Sequence, residues 1–140
     1  MIETYSNNIT VSANSAVPLN TVLKKGCTVE KSGDATIKFK KCGLYIVNVN
    51  ATGIAVAGGL MTLQLMINGQ VVPFAFASET AADTTSTHNL AFSARVQVPY
   101  NDSCCACAPE FTATLLNAGV EVTYSLVNVL VTKLVWLWNW

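Results

Sequence analysis

One stretch with strict two-residue alternation constrains the fold more than any other feature of the chain. It lies between Gly43 and Gly53. One face of the stretch is apolar or aromatic, with Tyr45, Val47, Val49 and Ala51. The other face is half apolar and half amide, with Leu44, Ile46, Asn48 and Asn50. Because successive side chains of a β-strand point to opposite faces, the pattern predicts a central strand of an all-β domain. The mixed second face favours contact with another sheet or subunit.

Further short strands are predicted on both sides, separated by turn residues and without helical periodicity. They are Ile9–Val11, Ala35–Lys40, Met61–Ile67, Asn89–Val98, Phe111–Leu116 and Val120–Val135. Asn68-Gly69 is a strong hairpin signal, and Pro73 makes the return strand Gln70–Ser78 an edge or bulged strand. In the last strand we expect Tyr124, Leu126, Leu130 and Leu134 to share one face. Roughly eight to ten strands with frequent turns predict an antiparallel sandwich or barrel.

The composition predicts one domain, residues 1–134 followed by a tail 135–140, that hides apolar surface in an oligomer. The chain has 140 residues, of which 51% are hydrophobic and 11% charged, against roughly a quarter charged in ordinary soluble domains. No apolar run reaches the roughly 20 residues of a transmembrane helix, so subunit contacts are the economical explanation. Eight Lys plus Arg balance eight Asp plus Glu, which gives no electrostatic case for nucleic acid. The lysines gather locally, and we interpret them as a solvated loop or edge rather than a binding patch; they are Lys24, Lys25, Lys38, Lys40 and Lys41.

Five cysteines and the N-terminal sequence both favour synthesis and assembly in a reducing compartment. Residues 1–6 lack the basic and apolar regions of a secretory signal, and an odd number of cysteines argues against a closed disulfide framework. Cys104, Cys105 and Cys107 form the most unusual local cluster. Three interpretations stay open: reduced thiols, a disulfide to Cys27 or Cys42, or a metal site, which would need a fourth ligand.

No constellation in the sequence predicts catalysis or a cofactor. His88 is the single histidine, and no nucleophile motif accompanies it. Asp83, Asp102 and Glu110 lie in or beside predicted loops, yet no loop has the ligand density of a calcium site. The glycine-containing segment Gly53–Gly59 lacks the lysine and helix start of a phosphate loop. We therefore expect a protein that is not an enzyme.

The C-terminal residues carry three tryptophans in five positions, Trp136, Trp138 and Trp140. An exposed segment of this kind is either an aggregation hazard or a membrane-interface anchor, and it is too short to span a bilayer. Because tryptophan is a favoured interface anchor, we expect the tail to dock on a neighbouring subunit or partner.

The order of several motifs resembles that of a known family. They are Val17-Pro18-Leu19-Asn20, Gly26, Thr36-Ile37, Gly43-Leu44-Tyr45-Ile46-Val47, Leu63–Gly69, Val72-Pro73 and Val129–Leu134. This order resembles the tumour-necrosis-factor-like (TNF-like) and complement-subcomponent-like jelly rolls. It is most similar to their bacterial and phage branch, which includes the C-terminal domain of collagen-like spore-coat glycoproteins. The likeness extends from about Asn8 to Leu134.

The resemblance implies an antiparallel, two-sheet jelly roll of about ten strands that forms a homotrimer. It implies aromatic residues at the threefold axis, and we assign Tyr45 and Tyr124, with the three tryptophans, to subunit contacts or docking. No collagen-like tract precedes the domain, which disfavours a spore-coat filament, and the cysteine cluster and tail depart from the family pattern. We expect a virion surface protein assembled in the host cytoplasm, a phage capsid decoration or head fibre. The alternative is a knob on a fibre, bacterial cell or spore that binds a receptor or cell-surface glycan.

Overall fold

A computed structural model of the chain describes residues 1–99 and 111–134, and every regular element in them is a β-strand. No helix in these residues is long and apolar enough to cross a membrane. The strands are β1 (Ile2–Val11), β2 (Ser15–Ala16), β3 (Thr21–Lys24), β4 (Val29–Ser32), β5 (Thr36–Phe39), β6 (Gly43–Ala55), β7 (Gly59–Ile67), β8 (Gln70–Ala81), β9 (His88–Val98), β10 (Phe111–Asn117) and β11 (Val122–Lys133).

The strands form two antiparallel sheets packed face to face. The first sheet has the order β3-β1-β11-β6-β9, and the second has the order β4-β5-β10-β7-β8 with the short β2 beside β10. Neighbouring strands are mostly not consecutive in the chain, so the chain crosses repeatedly between the sheets, as in jelly rolls. The all-β, two-sheet jelly roll predicted from the sequence is confirmed.

The alternating stretch that opened the sequence argument is β6, an inner strand of the first sheet. It pairs with β11 on one side and with β9 on the other. Its predicted inward residues are all buried, and Tyr45 is fully covered. The Phe39 ring meets the Tyr45 ring edge-on, with 4.8 Å between centroids, and meets the Phe111 ring at 5.7 Å. Edge-to-face geometry adds to the hydrophobic gain of burying these rings.

A bulge in β11 changes which residues face the core. Its register with β6 shifts between Tyr124 and Leu126. As a result Tyr124 points inward and is fully buried, whereas Leu126 and Leu130 lie half-buried on the outer face. The prediction that these residues share one face was therefore wrong for Tyr124, because one extra residue in a strand reverses the alternation beyond it.

A second irregularity lies on the edge strand β8, where Pro73 was expected to make an edge or a bulge. The register with β7 shifts between Gln64 and Met66, so the structure has both features. The buried Gln64 side chain fills the bulge: its Nε2 donates to the carbonyls of Val72 at 2.6 Å and Ala75 at 3.1 Å. These bonds satisfy backbone groups that the interrupted ladder leaves without partners.

Candidate functional site

The two tyrosines assigned to subunit contacts lie inside the core of a single chain. Tyr45 and Tyr124 are both 0% exposed. The Tyr45 hydroxyl donates to the carbonyl of Lys41 at 2.6 Å, whereas the Tyr124 hydroxyl has no hydrogen-bond partner among the described residues. This placement corrects the sequence-based assignment, because side chains that one chain already covers present no surface to another. The alternation correctly placed Tyr45 on the apolar face of β6. It could not show whether that face packs in the core of one chain or against another subunit.

Burial also changes the acidity of these two phenols. It raises the pKa of Tyr45 to about 12, with a smaller contribution from repulsion by the nearby Cys42 thiolate form. It raises the pKa of Tyr124 further. In both cases the cause is that a phenolate loses hydration in the apolar interior. The hydroxyls therefore act as structural groups at neutral pH.

The cysteine and tryptophan predictions fall largely outside the described residues. Cys104, Cys105 and Cys107 belong to the segment 100–110, and the three tryptophans belong to 135–140, so their roles stay predictions. Of the two remaining cysteines, Cys27 is exposed and Cys42 is buried, and both are free thiols. Residues 1–99 and 111–134 contain no group of three or more metal-ligating side chains.

His88 joins the two sheets at their open edge. It begins β9, an edge strand of the first sheet, and its Nδ1 lies 2.8 Å from Oε1 of Glu79 on β8, an edge strand of the second sheet. The His88 Nε2 is buried and has no partner within the part of the chain that the structure describes. This geometry is a bridge between edges. Among residues 1–99 and 111–134, no serine, threonine or cysteine forms a hydrogen bond to the ring, as a nucleophile activated by His88 would.

Asp83 is bound by its own loop. Its carboxylate accepts hydrogen bonds from the backbone N–H groups of Thr85 at 3.0 Å and Ser86 at 2.8 Å, and from the Ser86 hydroxyl. The bonds from Ser86 and Thr85 lower the pKa of Asp83, because they stabilise the charged form. The side chain thus shapes the β8–β9 turn. Asp102 and Glu110, the other two carboxylates considered for calcium, lie outside the described residues.

A group of exposed apolar side chains lies on β8, the edge strand of the second sheet. We call Val71, Phe74 and Phe76 the β8 patch; they are 53%, 69% and 48% exposed. Phe74 follows Pro73 in the bulge, and bulges commonly redirect a side chain. The sequence showed an almost wholly apolar return strand, but without the bulge it did not reveal which of its side chains point to solvent.

A second apolar surface lies on the outer face of the first sheet. We call it the first-sheet face; it is formed by Leu44 and Ile46 of β6 and Leu126 and Leu130 of β11, all half-buried.

The amide side chains of Asn48 and Asn128 lie in the middle of the first-sheet face and are already paired. The Ser93 hydroxyl donates to Asn48, and Asn128 Nδ2 donates to Glu3 at 3.0 Å. This is the mixed apolar and amide face that the alternation of β6 predicted. Because Asn48 and Asn128 have partners, another protein surface can cover these two amides at a smaller desolvation cost.

Comparison with known proteins identifies the fold and no closer relationship. No family model matches the sequence, and no curated protein matches it. Murine APRIL is similar, with a TM-score of 0.68, 10% identity, and coverage of 95% of this chain and 98% of that chain. Eiger TNF from S. frugiperda has a TM-score of 0.66 and 9% identity over 96% and 92% of the two chains. The PRD1 vertex protein P5 has a TM-score of 0.56 and 15% identity over 95% of each chain. The fold is a TNF-like jelly roll.

Proposed function

We propose that three copies of the chain assemble through a repeated contact, in which the β8 patch of one subunit covers the first-sheet face of the next. The observation that carries this proposal is the presence of two separate apolar surfaces on one protomer. A contact between two different surfaces of the same chain is head-to-tail, and such contacts form a closed ring when the rotation allows it. The resemblance to TNF-like proteins supports a ring of three subunits.

The energetics of the exposed side chains support this contact. Full burial of a large apolar side chain contributes roughly 1.5–3 kcal/mol. Because Phe74 and Phe76 are 69% and 48% exposed, covering the rest of both would contribute about 2–3.5 kcal/mol to each contact before the cost of association. Phe74 projects furthest, and large anchors of this kind dominate interfaces. The low charge content of the chain, 11%, is also consistent with surface that is hidden in an assembly.

We further propose that the trimer is a structural, non-enzymatic component of a virion surface, such as a phage capsid decoration or head fibre. The support is that the PRD1 vertex protein P5 has the same fold, together with the motif order noted in the sequence. His88 Nδ1 bridges two edge strands, and the Asp83 carboxylate shapes a turn. The core contains an apolar cavity of about 10 Å³ between the two sheets, lined by residues such as Val47 and Leu65. This volume is too small for a substrate.

The contact is tested by removing its anchors. Phe74→Ser with Phe76→Ser should convert the assembly to monomers, measured by light scattering behind a sizing column. Leu60→Ser is the matched control, because Leu60 is 52% exposed on the same sheet but lies outside the β8 patch. Assembly that survives the double substitution with its mass unchanged would refute the proposed contact.

The virion role is tested by peptide mass spectrometry of density-purified particles from the phage or host that encodes the chain. We expect the protein at a fixed copy number, retained after a salt wash. Its absence from purified particles that contain the major capsid protein would refute the virion role while leaving the trimer intact. The two proposals therefore fail independently.

A further inference from the structure

The net charge of zero conceals a strong separation of charge along the sandwich. Six of the eight lysines and arginines fall between residues 24 and 41, and the topology brings most of them to one end. This end is where β3, β5 and β11 finish, and we call it the lysine end. Its lysines are Lys24, Lys25, Lys40, Lys41 and Lys133.

The strand pairing establishes that these lysines share one end. Lys24 lies opposite Ile2 at the start of β1, Ile2 lies opposite Val131 near the end of β11, and Lys133 lies opposite Tyr45 at the start of β6. In the second sheet, Phe39 lies opposite both Val29 and Phe111. Because Lys40 and Lys41 follow Phe39 and precede β6, they lie at this same end.

The opposite end carries the other sign. Its turns comprise residues 12–14, 56–58, 82–87 and 118–121, and they contain Asp83 and Glu121 but no lysine or arginine. Glu79 is near the end of β8, beside the same turns. At the lysine end, by contrast, the described carboxylates include Glu30, which lies 3.7 Å from Lys40, and Glu3, which lies opposite Leu23 and accepts a hydrogen bond from Asn128. Lys24, Lys25 and Lys41 are exposed, so their amines project into solvent.

We propose that the lysine end binds an anionic polysaccharide that carries phosphate or sulfate groups, the class of polymer found on cell envelopes. Lysine is a compact, strongly hydrated point charge on a flexible stem. Several such charges, distributed over separate turns rather than converging on a pocket, match a chain of repeated anions better than one small ligand. Local potentials of this kind attract ions of opposite sign even when the whole molecule is neutral. This inference does not depend on the virion role.

The chemistry of the lysine end favours a polysaccharide over nucleic acid or lipid. The five cations that define this end are all lysine, and Arg95, opposite Ile46 on β6, is a single arginine near it. The lysine end therefore offers little of the bidentate recognition by which arginine reads bases. Of the described aromatic rings beside it, Phe39 and Tyr45 are buried and Phe111 is half-buried against Phe39, which leaves little ring surface for stacking on bases. The large exposed apolar side chains nearby are Met1 and Leu23, which is little hydrophobic area for holding a membrane surface.

The experiment measures binding of the full chain to dextran sulfate and to polyphosphate, with neutral dextran as the uncharged probe, at two salt concentrations. We expect binding to at least one anionic polymer, weakening as salt rises, and none to neutral dextran. The variant Lys24→Gln with Lys41→Gln should bind at least about tenfold more weakly, since one lysine near an anionic surface contributes on the order of fivefold. Comparison of the two polymers separates sulfate from phosphate recognition.

A matched variant distinguishes the effect of charge at the lysine end from the effect of the protein's total net charge. Ala13→Asp with Ala82→Asp lowers the net charge by the same two units but does so in exposed turns at the opposite end. We expect it to bind like the unmodified chain. Circular dichroism and solution mass should be unchanged in both variants. Equal weakening in both, binding to neither polymer, or tighter binding to anionic phosphatidylserine vesicles than to the polymers at equal charge concentration would overturn the proposal.

Discussion

The same substitution at two buried tyrosines should change stability in opposite directions. Tyr45 and Tyr124 are both fully buried in one core, yet only the Tyr45 hydroxyl has a hydrogen-bond partner, the carbonyl of Lys41 at 2.6 Å. The Tyr124 hydroxyl has none among the described residues. Replacement by phenylalanine removes one oxygen and leaves the ring, so each variant reports the free-energy contribution of a single hydroxyl.

The magnitudes follow from these environments. A satisfied hydrogen bond contributes about 0.5–1.5 kcal/mol net, so Tyr45→Phe should destabilise the fold by about 1 kcal/mol, with a larger loss if the freed carbonyl stays buried. A buried hydroxyl without a partner costs roughly 1–3 kcal/mol in lost hydration. Tyr124→Phe removes this cost, and it should raise the free energy of unfolding by about 1 kcal/mol.

The assay is urea denaturation of both variants and the unmodified chain at one protein concentration, which must be fixed because assembly also contributes to stability. We expect the midpoint of Tyr124→Phe above, and that of Tyr45→Phe below, the unmodified midpoint. A loss of 1 kcal/mol or more for Tyr124→Phe would refute the reasoning, because it would mean that the Tyr124 hydroxyl makes a favourable hydrogen bond.

Three further predictions concern the same sandwich. Gln64→Leu should destabilise it by about 2–4 kcal/mol in urea, because the part-buried Val72 carbonyl and the buried Ala75 carbonyl lose their donor; an unchanged midpoint would show that water replaces the amide. Gly53→Ala should cost at least about 2 kcal/mol by thermal melting, because the added Cβ would lie 2.8 Å from the Thr123 carbonyl oxygen; normal stability would contradict that contact. Stability should be complete below pH 10 and fall as pH rises toward 12, because the unfolded chain releases the protons of Tyr45 and Tyr124 first. The variant Tyr45→Phe with Tyr124→Phe should lose less stability over that pH range than the unmodified chain. An equal loss would show that other groups cause the pH dependence.

The sequence predicted the fold well because a β-strand with one buried face shows a two-residue alternation of apolar and polar side chains. The alternation of the β6 stretch correctly divided its residues between two faces, and Asn68-Gly69 marked the β7–β8 hairpin. Pro73 marked the edge strand, since proline cannot donate to a ladder. These features are local, so each can be recognised from a few neighbouring residues.

The candidate surfaces were harder to predict, because they depend on where the alternation breaks. The bulge between Tyr124 and Leu126 moved Tyr124 into the core and Leu126 to the outside. The bulge beside Pro73 similarly leaves Phe74 exposed, which nothing in the apolar run distinguished. Bulge positions depend on cross-strand partners that are far apart in sequence, such as Gln64 and Ala75.

The composition also gave no information on where the charges lie in the fold. The balance of eight basic and eight acidic residues argued against an electrostatic partner, and the local group of lysines was interpreted as a solvated edge. Only the strand pairing shows that Lys133, distant in sequence, lies at the same end as Lys24 and Lys41. A neutral chain can therefore still present a basic surface, because the fold determines where each charge lies.

The central claim, that the β8 patch and the first-sheet face hide each other in a trimer, is tested most directly by the absolute mass of the purified chain. One subunit has a mass of 14.9 kDa. Light scattering behind a sizing column should give about three times this mass, independent of concentration across the eluting peak. A monodisperse peak at the mass of one subunit would contradict the claim.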